Sequence, residues 1–596
     1  MLIKKRALPA ILPTLGAYPP VLQRIFAARG IDSEGQLDKR LQALLPFTSL
    51  TDIDKAANRL EQAISAQQRM LIIGDFDADG ATSTALAVSA LRAMGALHVD
   101  FLVPNRFEFG YGLTPAIVEV AKTGNPQLII TVDNGIASID GVDAANEAGI
   151  DVLITDHHLP AEVLPKACVI VNPNQSGDKF LSKSIAGVGV IFYVMLALRR
   201  QLSRSGWFRS QNIPEPNMAQ FLDLVTFGTV ADVVALDQNN RILINQGLQR
   251  IRQGLCRPGI RALIEVSGRK CEILRESDIG FAVAPRLNAA GRLDDMSLGI
   301  ECLLCDDLEK ARALASHLDA LNIERRRIET EMKEQAMQAL DHLAVNKDLK
   351  VKQLPLALCL VDESWPQGVI GILAGRLKER YHRPVIAFAA VGPNEFKGSA
   401  RSIAGLNIRD VLAAIDKDNP GLITKFGGHA MAAGLSLHPT AFLPFQQALL
   451  VEVEKHINLS QCEGELLSDG PLQADELTLE LANLLQEAGP WGQQFPEPAF
   501  DNLFEILEQR IVGQNHLKLT LQHEQGGHAV DAIAFNVDLK LWPNHRARHL
   551  HAAYKLGINE YNGRTKLQLV ITAMQAVQEK PAIIGYNNPS HSFADV

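Results

Sequence analysis

Aspartate and histidine residues form short clusters between residues 75 and 232. These residues are Asp75, Asp77, Asp79, Asp133, Asp156, His157, His158 and Asp232. The first seven follow three short apolar runs, MLII, QLIITV and DVLIT, which have the composition of buried strands. Carboxylates that converge without a cation repel one another, so such a cluster must take up protons or bind metal. The pattern therefore predicts a metal centre.

The donor types indicate which metal is bound and which chemistry it serves. Carboxylate oxygens with one or two imidazoles suit Mn²⁺ or Mg²⁺ better than a structural zinc. Two such ions that share a bridging aspartate can activate water and neutralise the charge of a phosphoryl transition state. We therefore expect two divalent cations, Mn²⁺ or Mg²⁺, in a phosphoesterase.

Simpler interpretations of these residues remain open. The Asp-x-Asp-x-Asp-Gly run also opens calcium-binding EF-hand loops, but the glutamate expected at the twelfth position is Leu86 here. Asp and Gly also favour helix caps and turns, which explains any one cluster better than all three together. His157 by itself would suit a hydrogen-bonded structural role.

The apolar runs also predict the fold that positions these clusters. They are separated by segments with apolar residues at helical spacing, such as ATSTALAVSALRAMGA (81–96). Short buried runs that alternate with helices are typical of a parallel sheet covered on both faces. We therefore expect a doubly wound α/β domain over residues 51–305. Ligands bind at the carboxyl ends of such strands, so three strands deliver their clusters to one edge, and Asp232 can close the ring.

The rest of the chain completes an α/β multidomain protein. Residues 306–346 carry leucines at helical spacing and predict a long connecting helix of about 55 Å, at 1.5 Å for each residue. Residues 347–460 predict a second α/β domain. Residues 465–578 show period-two alternation and predict an antiparallel β-barrel of the size of an OB-fold. The N-terminal segment 1–50 and the tail 579–596 have no predicted structure.

Composition and charge exclude several classes of protein. The 596 residues are 47% hydrophobic and 21% charged, with a formal net charge of −9, which is ordinary for a globular protein. Seven scattered cysteines argue against a disulfide framework, and Cys302 and Cys305 lack the second pair of a zinc site. No apolar run approaches the roughly 20 residues that span a bilayer. We therefore expect a cytoplasmic protein with no membrane partner.

The Asp-His-His triplet, with GDFDADG upstream and Asp133 between, resembles the motifs of the DHH phosphoesterase family. The resemblance covers about residues 50–575 and includes VPNRFEFGYGL (103–113), GTVADVVAL (228–236), PRLNAAGR (285–292), GVIGILAGRL (368–377), GSARSI (398–403), KFGGHAMAAG (425–434) and WGQQFPEPAF (491–500). The order of these motifs is similar to that of the family members that degrade single-stranded DNA. The resemblance implies a DHH catalytic domain, a DHH-associated domain that binds phosphate and nucleic acid, and a C-terminal OB-fold.

The resemblance also implies a role for each residue of the metal centre. The ligands implied for one ion are Asp77, Asp133 and Asp232, and those for the other are Asp79, Asp133 and His157. Asp133 would then bridge the two ions. Asp75 and Asp156 would support the site, and His158 would contact the scissile phosphate. No metal-ligand position departs from the family pattern.

Eight further positions match family residues that bind phosphate or nucleic acid. They are Arg106, Tyr111, Arg286, Asn288, Arg376, Ser399, Arg401 and His429. The resemblance implies that Arg106, Ser399 and Arg401 recognise a 5′-terminal phosphate, for which the guanidinium fork is suited. It also implies that Tyr111 stacks on a base and that His429 contacts phosphate. A surface charge for either arginine, a core position for Tyr111 and a packing turn at Gly427-Gly428 are the simpler alternatives.

The function implied by the resemblance is a single-stranded-DNA-specific 5′→3′ exonuclease that uses two metal ions and acts in DNA recombination and repair. The substrate would be a DNA single strand with a 5′ end. Single-strand-binding protein and recombination-repair factors are the suggested partners, and a monomer is the simplest assembly. A DHH phosphodiesterase acting on short oligonucleotides or cyclic dinucleotides is the alternative, although it would not need the barrel. A non-catalytic DNA-binding scaffold is more distant, because it would have lost metal ligands.

Overall fold

The chain folds into two compact units. A computed structural model describes residues 2–104, 109, 112–345, 354–462, 464–561 and 563–577. The unit that we call the barrel unit comprises Met1–Glu34, Gly464–Gly489 and Glu497–Val596. The unit that we call the sheet unit comprises Gly35–Glu463 and Pro490–Pro496.

The strands and α-helices of the described residues are numbered in chain order. The strands are β1 (Leu2–Lys5), β2 (Met70–Gly74), β3 (Val99–Leu102), β4 (Leu128–Val132), β5 (Asp151–Thr155), β6 (Val169–Val171), β7 (Leu358–Asp362), β8 (Val385–Ala390), β9 (Phe396–Arg401), β10 (Lys425–Gly428), β11 (Ala432–Leu437), β12 (Glu465–Ser468), β13 (Phe500–Val512), β14 (His516–His523), β15 (Val530–Ala534), β16 (His549–Tyr561) and β17 (Arg564–Val577). The helices are α1 (Pro20–Ala27), α2 (Ile53–Ser65), α3 (Ala78–Ala93), α4 (Pro115–Lys122), α5 (Ile139–Glu147), α6 (Gly187–Arg204), α7 (Trp207–Ser210), α8 (Leu222–Ala231), α9 (Gln238–Arg252), α10 (Pro258–Val266), α11 (Glu276–Asp278), α12 (Ala284–Leu293), α13 (Ser297–Leu304), α14 (Leu308–Val345), α15 (Ile370–Tyr381), α16 (Ile408–Asp418), α17 (Phe442–Glu454) and α18 (Leu479–Ala488). A π-helical turn, Ile279–Val283, joins α11 to α12.

Strands β2 to β6 form a parallel sheet in the sheet unit, with the order β3-β2-β4-β5-β6. The strands coincide with the apolar runs of the sequence, and every residue of β4 is buried. Helices α4 and α5 pack on one face through residues such as Ile117 and Val142, while α3 and α6 contact the strands from the other side. The predicted doubly wound α/β fold is confirmed.

The strand order reverses between β2 and β4. The chain leaves β2 for the edge strand β3 and then returns to β4 on the opposite side of β2. In open parallel sheets the loops at such a reversal diverge and leave a crevice at the carboxyl ends of the strands, where ligands bind. The loops that carry Asp75 and Asp133 follow these two strands.

The long helix α14 connects two hydrophobic cores. It has 38 residues and a length of about 57 Å at 1.5 Å for each residue. Near its beginning Ala311, Ala315 and Leu318 are buried, and this half contacts α10, α12 and α13. Further along, Met332 and Ala336 belong to a core that also includes residues of β7, β8 and α15. The prediction of a long connecting helix is confirmed.

The second sheet of the sheet unit has the order β10-β11-β9-β8-β7. Strands β7 and β8 pair in parallel, and the other neighbours pair antiparallel. Helices α16 and α17 contribute apolar residues such as Leu412 and Phe445 to the core beside this sheet. Residues 354–457 therefore form the second α/β domain that was predicted.

The barrel unit is built on a closed barrel with the order β13-β14-β15-β17-β16. Four of its strand pairs are antiparallel, and β15 pairs with β17 in parallel. A closed ring of five strands cannot alternate in direction throughout, so one pair must be parallel. The predicted barrel of OB-fold type is confirmed. Among the described residues, no helix combines the length and apolarity needed to cross a bilayer.

The N-terminal segment begins in the barrel unit. Strand β1 pairs in parallel with β12, and Leu2 lies opposite Glu465. Arg29 donates to both carboxylate oxygens of Asp469, at 2.8 and 3.0 Å. These contacts join residues more than four hundred positions apart in the sequence, and no local sequence pattern indicates them.

Candidate metal centre

The loop after β2 turns directly into a helix. Asp77 is the N-cap of α3, and its Oδ1 accepts hydrogen bonds from the backbone N–H groups of Asp79 and Gly80, at 2.9 and 3.0 Å. A Cβ at Gly80 would lie 2.4 Å from the carbonyl oxygen of Asp75, so only glycine fits this turn. One carboxylate of the cluster therefore has the capping role considered from the sequence, and the tight turn holds Asp75, Asp77 and Asp79 within five residues.

Asp133 lies at the end of β4 in the left-handed backbone region, with φ of 62°. Aspartate tolerates this region better than most residues, although it is uncommon there. The side chain of Asn134 donates to the carbonyl oxygens of Ile73 and Val132, at 3.1 and 2.9 Å, and so ties this turn to β2. The backbone thereby turns the buried Asp133 carboxylate towards the cluster.

Asp156 holds the Asp-His-His turn together. Its Oδ1 accepts from the backbone N–H groups of His157 and His158, at 2.7 and 3.1 Å, and lies 2.8 Å from His158 Nδ1. Its Oδ2 accepts from Ile136 N–H at 2.9 Å. Because both oxygens are engaged by the protein, Asp156 orients its neighbours.

The three strand-end clusters and Asp232 meet in one site. Nε2 of His157 lies 3.1 Å from Asp133 Oδ1 and 3.5 Å from Asp232 Oδ2. The possible metal-ligand atoms form three groups, and within each group the atoms lie no more than 4.8 Å apart. The groups are Asp79, His157 and Asp232; Asp75, Asp77 and Asp133; and Asp133, His157 and His158. All eight predicted metal-centre residues are in these sets or, for Asp156, hydrogen-bonded to one of them. The division of ligands between two ions stays a prediction.

Two glycines that the sequence analysis did not identify lie close to the carboxylates of the cluster. Gly187 and Val188, at the start of α6, donate their N–H groups to the two oxygens of Asp79, at 2.7 and 3.0 Å. A Cβ at Gly187 would lie 2.5 Å from Asp133 Oδ1, and a Cβ at Gly228 would lie 2.5 Å from Asp79 Oδ1. Side chains at these positions would occupy the space of Asp133 and Asp79, two of the predicted metal ligands. The only sequence signal was a glycine within each helical run.

Burial makes several of these carboxyl groups hard to ionise. Burial and then the charge of Asp77 raise the pKa of Asp79 to about 7. Burial and the charges of neighbouring aspartates also raise the pKa of Asp133 and that of Asp232 well above their ordinary values. A divalent cation removes this penalty, since it favours the charged form of every carboxylate around it.

The two histidines of the triplet have opposite electrostatic environments. Burial, with the charge of His158, lowers the pKa of His157 to about 4. Burial also lowers the pKa of His158, but the hydrogen bond and charge of Asp156 outweigh it and raise that pKa to about 9. At neutral pH His157 is therefore a neutral imidazole, the form that ligates metals, and His158 is a cation.

The residues fit a pair of divalent cations. The buried Nε2 of His157 makes no hydrogen bond within the described part of the chain, although it points into a cluster of carboxylates. Oxygen donors dominate the site, with imidazole nitrogen as the minority donor, which is the donor set that Mn²⁺ and Mg²⁺ accept. Fixed second contacts, such as those of Asp156, hold the donors in place as metal sites require.

Two residues that were predicted to bind phosphate, Ser399 and Arg401, lie on β9 of the second sheet, beside Gly371 of α15. Arg401 Nη1 donates to Ser399 Oγ at 3.1 Å and to the carbonyl oxygen of Ala400 at 2.8 Å. A Cβ at Gly371 would lie 2.9 Å from both Arg401 and Ser399. Burial lowers the pKa of Arg401, and no described carboxylate pairs with it. The ring of His429 stacks at 6.4 Å on that of His158, so this histidine reaches the metal centre.

The other five residues that were predicted to bind phosphate or nucleic acid either make contacts within the fold or lie outside the described residues. Arg286 is buried, donates to the carbonyl oxygen of Ala282 and pairs with Asp319 of α14 at 2.8 Å, so its side chain braces two helices. The side-chain oxygen of Asn288 accepts from Ala78 N–H at 2.8 Å, beside the loop after β2. Arg376 pairs with Glu329 at 2.9 Å. Arg106 and Tyr111 lie outside the described residues, and the roles of all these residues stay predictions.

Comparisons with known proteins agree with this architecture. Residues 69–229 match the DHH family, N-terminal domain; residues 349–455 match the DHHA1 domain; and residues 468–573 match the RecJ OB domain. Among solved structures, RecJ in complex with Mn²⁺ from Thermus thermophilus has a TM-score of 0.78 and 28% identity, and the match covers 97% of this chain and 80% of that chain. RecJ in complex with Mg²⁺ from the same organism has a TM-score of 0.73 and 26% identity, with 97% and 79% covered.

Sequence relatives extend over almost the whole chain. The single-stranded-DNA-specific exonuclease RecJ of Dickeya dadantii (strain 3937) is 55% identical over 93% of this chain and 96% of its own length. The protein of the same name from Escherichia coli (strain K12) is 53% identical over 93% and 95%. Identity at this level and over this length establishes that the chain belongs to the RecJ family of single-stranded-DNA-specific exonucleases.

Proposed function

We propose that this protein is a single-stranded-DNA-specific 5′→3′ exonuclease that hydrolyses phosphodiester bonds with two divalent cations, Mn²⁺ or Mg²⁺, in DNA recombination and repair. The observation that carries the proposal is the cluster of aspartates and histidines at the strand reversal, in which burial and neighbouring charges raise the pKa of Asp79, Asp133 and Asp232. The membership of the RecJ family supplies the substrate class. The predicted domain limits 51–305, 347–460 and 465–578 belong to the proposal.

The proposal assigns Asp77, Asp133 and Asp232 to one ion and Asp79, Asp133 and His157 to the other. Bound cations supply water activation and neutralise charge on the phosphoryl group. Asp75 and Asp156 support the ligands from the protein side. The contacts of Gly187 and Val188 with Asp79 support this assignment, since they fix both oxygens of that carboxylate.

His158 is proposed to contact the scissile phosphate. Its pKa, raised to about 9 by Asp156 against the effect of burial, makes it a cation at neutral pH. A protonated imidazole donates from its outer nitrogen to a phosphate oxygen and stabilises the charge there. The ring of His429 stacks on that of His158, and His429 is proposed as a second phosphate contact.

The 5′ end is proposed to bind at Ser399 and Arg401, together with Arg106. A partly buried guanidinium beside Gly371, at the start of α15, suits a terminal phosphate, because N–H donors and positive charge converge there. Tyr111 would stack on a base. A single strand held at its 5′ end delivers that end to the metal centre first, which accounts for the 5′→3′ direction.

Partners and location are part of the same proposal. Single-strand-binding protein and recombination-repair factors are the proposed protein partners, and the cytoplasm is the proposed location. A monomer is the proposed assembly. The partners follow from the proposed role on single-stranded DNA, and the cytoplasm and a monomer are the simplest location and assembly.

The test is digestion of a long DNA single strand labelled at its 5′ or its 3′ end, with Mn²⁺, Mg²⁺ or EDTA, beside the matching blunt duplex. We expect early release of short 5′-labelled products, no attack on the duplex and no reaction in EDTA. Asp133→Ala is the matched control for contaminating nuclease and should be inactive with either metal. Activity confined to dinucleotides would move the protein to the small-substrate alternative, and inactivity with every metal would favour the scaffold.

A further inference from the structure

The sequence run WGQQFPEPAF (491–500) has no part in the proposed metal and phosphate contacts. Most of it lies in Pro490–Pro496, which we call the tryptophan segment. The tryptophan segment belongs to the sheet unit, although the residues on both sides of it in the sequence, Gly489 and Glu497, belong to the barrel unit. It contacts residues of the sheet unit that are more than two hundred positions away in the sequence, such as Glu276.

The tryptophan segment is a compact turn with a fixed shape. Gly492 and Phe495 exchange backbone hydrogen bonds of 2.9 and 3.1 Å. The rings of Trp491 and Phe495 stack with their centres 5.1 Å apart, and both residues are buried. The backbone N–H of Trp491 donates to Glu276 Oε1 at 2.9 Å, so the turn is anchored to α11.

The tryptophan segment holds Leu236, in the connection between α8 and α9. The backbone N–H of Leu236 donates to the carbonyl oxygen of Gln493 at 2.8 Å. A Cβ at Gly492 would lie 2.7 Å from Cδ1 and 3.1 Å from Cγ of Leu236, so glycine at this position leaves the room that Leu236 occupies. The carbonyl oxygen of Leu236 accepts from Arg241 Nη1 at 2.8 Å, and the guanidinium of Arg241 lies 4.3 Å from the centre of the Phe495 ring. Both backbone polar groups of Leu236 are thus engaged by the segment, directly or through Arg241.

The same connection begins at Asp232, directly after α8. Asp232 Oδ2 lies 3.5 Å from Nε2 of His157 in the metal centre. The next residue, Val233, has φ of 58°, a left-handed conformation that is a genuine outlier for a β-branched residue. Its side chain is 65% exposed, so its own packing contributes little to holding this conformation. Strained backbone persists only where the surrounding structure fixes it, and here the contacts of Leu236 fix the chain three residues further on.

We propose that the tryptophan segment is a positioning element for Asp232. By fixing Leu236, it holds the strained turn at Val233 and so keeps the Asp232 carboxylate where its ion binds. Asn240 supports the same turn from α9, with its Nδ2 2.9 Å from the carbonyl oxygen of Ala235, so a disturbed segment should displace the carboxylate rather than unfold the connection. Supporting contacts of this kind are typically worth roughly 10–100-fold in metal affinity. The inference rests on the proposed function, since it takes Asp232 to be a ligand of one of two ions.

The test is titration of the metal-free, full-length protein with Mn²⁺, followed by the electron paramagnetic resonance signal of the free ion. The proteins compared are the wild type, Gly492→Ala, Asp232→Ala and the double variant. Gly492→Ala forces Leu236 to move and should weaken the binding of one ion by about tenfold or more, while the affinity for the other ion changes much less. In the Asp232→Ala background the same substitution should have no further effect, because the ligand that it displaces is already absent.

Gly35→Ala is the matched control, because nothing lies within 4 Å of its Cβ position, although its neighbour Gln36 accepts a hydrogen bond from Arg241. Its Mn²⁺ binding should equal that of the wild type. Arg241→Lys is a second variant, which keeps the positive charge but cannot make both hydrogen bonds of the guanidinium fork. It should give a smaller loss that is likewise absent in the Asp232→Ala background. Thermal unfolding in EDTA verifies that each variant is folded.

A loss of the same size in both backgrounds, or equal weakening of both ions, would overturn the proposal, since the segment would then act on the fold as a whole. Wild-type affinities in both Gly492→Ala and Arg241→Lys would overturn it too. Unchanged binding of both ions by Asp232→Ala would contradict the ligand role of Asp232 in the proposed function, and this inference with it. A failed exonuclease assay leaves these titrations unaffected, so the two proposals fail separately.

Discussion

The metal centre and the barrel unit both bury aspartates, but they deal with the negative charge in different ways. In the barrel unit Asp469 receives two hydrogen bonds from Arg29 and lies 3.5 Å from Arg6, so the protein supplies the cation. In the metal centre burial and neighbouring charges raise the pKa of Asp79, Asp133 and Asp232, and a cation must come from solution. Buried charge balanced by the chain serves the fold, and buried charge that requires a counter-ion identifies a ligand site.

The strongest test of this contrast is Asp133→Ala. Cleavage should fall by about a thousandfold or more, because the proposed bridging ligand of both ions is lost. In EDTA the variant should unfold at the same or a higher temperature than the wild type, since one of several repelling carboxylates is gone. Initial rates on a 5′-labelled single strand and thermal unfolding in EDTA check the two parts. Near-normal turnover at saturating Mn²⁺ would contradict the bridging assignment.

Asp469→Ala, in contrast, should reduce the stability of the protein and leave its metal binding unchanged. The variant leaves the side chain of Arg29, only 1% exposed, buried without its carboxylate, which costs about 3–5 kcal/mol of unfolding free energy. Its Mn²⁺ affinity should be unchanged where it is folded. Urea unfolding measures the loss, and adding Arg29→Met to an Asp469→Leu variant should recover much of it. A loss below about 1 kcal/mol would mean that Asp469 is not held by its arginines.

Gly187→Ala should weaken metal binding without removing a ligand. The added Cβ would lie 2.5 Å from Asp133 Oδ1, so the carboxylate must move, and displaced ligands typically cost roughly 10–100-fold in affinity, as for lost supporting contacts. Gly375→Ala on α15 is the control, since nothing lies within 4 Å of its Cβ position. Titration of the metal-free proteins with Mn²⁺, followed by electron paramagnetic resonance, compares the two. Equal affinities would show that the site has room that the structure does not indicate.

The stability of the metal-free protein should also depend on pH, because the carboxyl groups of the metal centre have shifted pKa values. The pKa of Asp79 is about 7 in the folded protein, above its ordinary value of 3.8, so its contribution to stability is present below about pH 4 and is lost as pH rises through 7. One such group changes the unfolding free energy by at most about 1.4 kcal/mol per pH unit. Burial lowers the pKa of His157 to about 4 from its ordinary value of 6.5. Its contribution to stability therefore rises as the pH increases from about 4 to 6.5, opposite to that of Asp79.

The difference between wild type and Asp79→Asn therefore isolates the carboxyl group. In EDTA, the stability of the wild type relative to the variant should fall between about pH 4 and 7, as measured by urea unfolding at each pH. Adding Mn²⁺ at the upper end of this range should reverse the trend, because the cation binds the deprotonated carboxylates. A parallel course of the two profiles in EDTA would contradict the raised pKa.

The smallest expected effect concerns Arg401, a partly buried positive charge without a described carboxylate partner. Arg401→Ala should reduce the preference for 5′-phosphorylated over unphosphorylated single strands by about tenfold, the loss expected for a charge-assisted hydrogen bond. Arg380→Ala, an exposed change at the end of α15, is the control. Competition between the two labelled substrates measures the preference. An equal loss on both ends would remove Arg401 from the phosphate site.

Local patterns in the sequence were sufficient for the fold and for most of the metal centre. The alternation of apolar runs and helices predicted β2, β4 and β5, and the clusters at their ends identified the donors. This worked because strand burial and loop chemistry depend on neighbouring residues, and a parallel sheet brings its strand ends to one edge. The sequence also offered Asp232 as the residue that closes the ring, and the family resemblance gave it a role as a ligand; in the structure it lies 3.5 Å from His157 Nε2.

The tertiary structure decided which distant residues meet. Gly187 and Gly228 lie close to carboxylates that are more than 50 positions away in the sequence. Arg286 pairs with Asp319, and β1 pairs with β12. The residues that line a cavity between α12, α14 and α15 also come together only when these helices are packed. Periodicity records which face of an element is buried, but the partner of that face depends on the packing of elements far apart in sequence, and no local pattern encodes it.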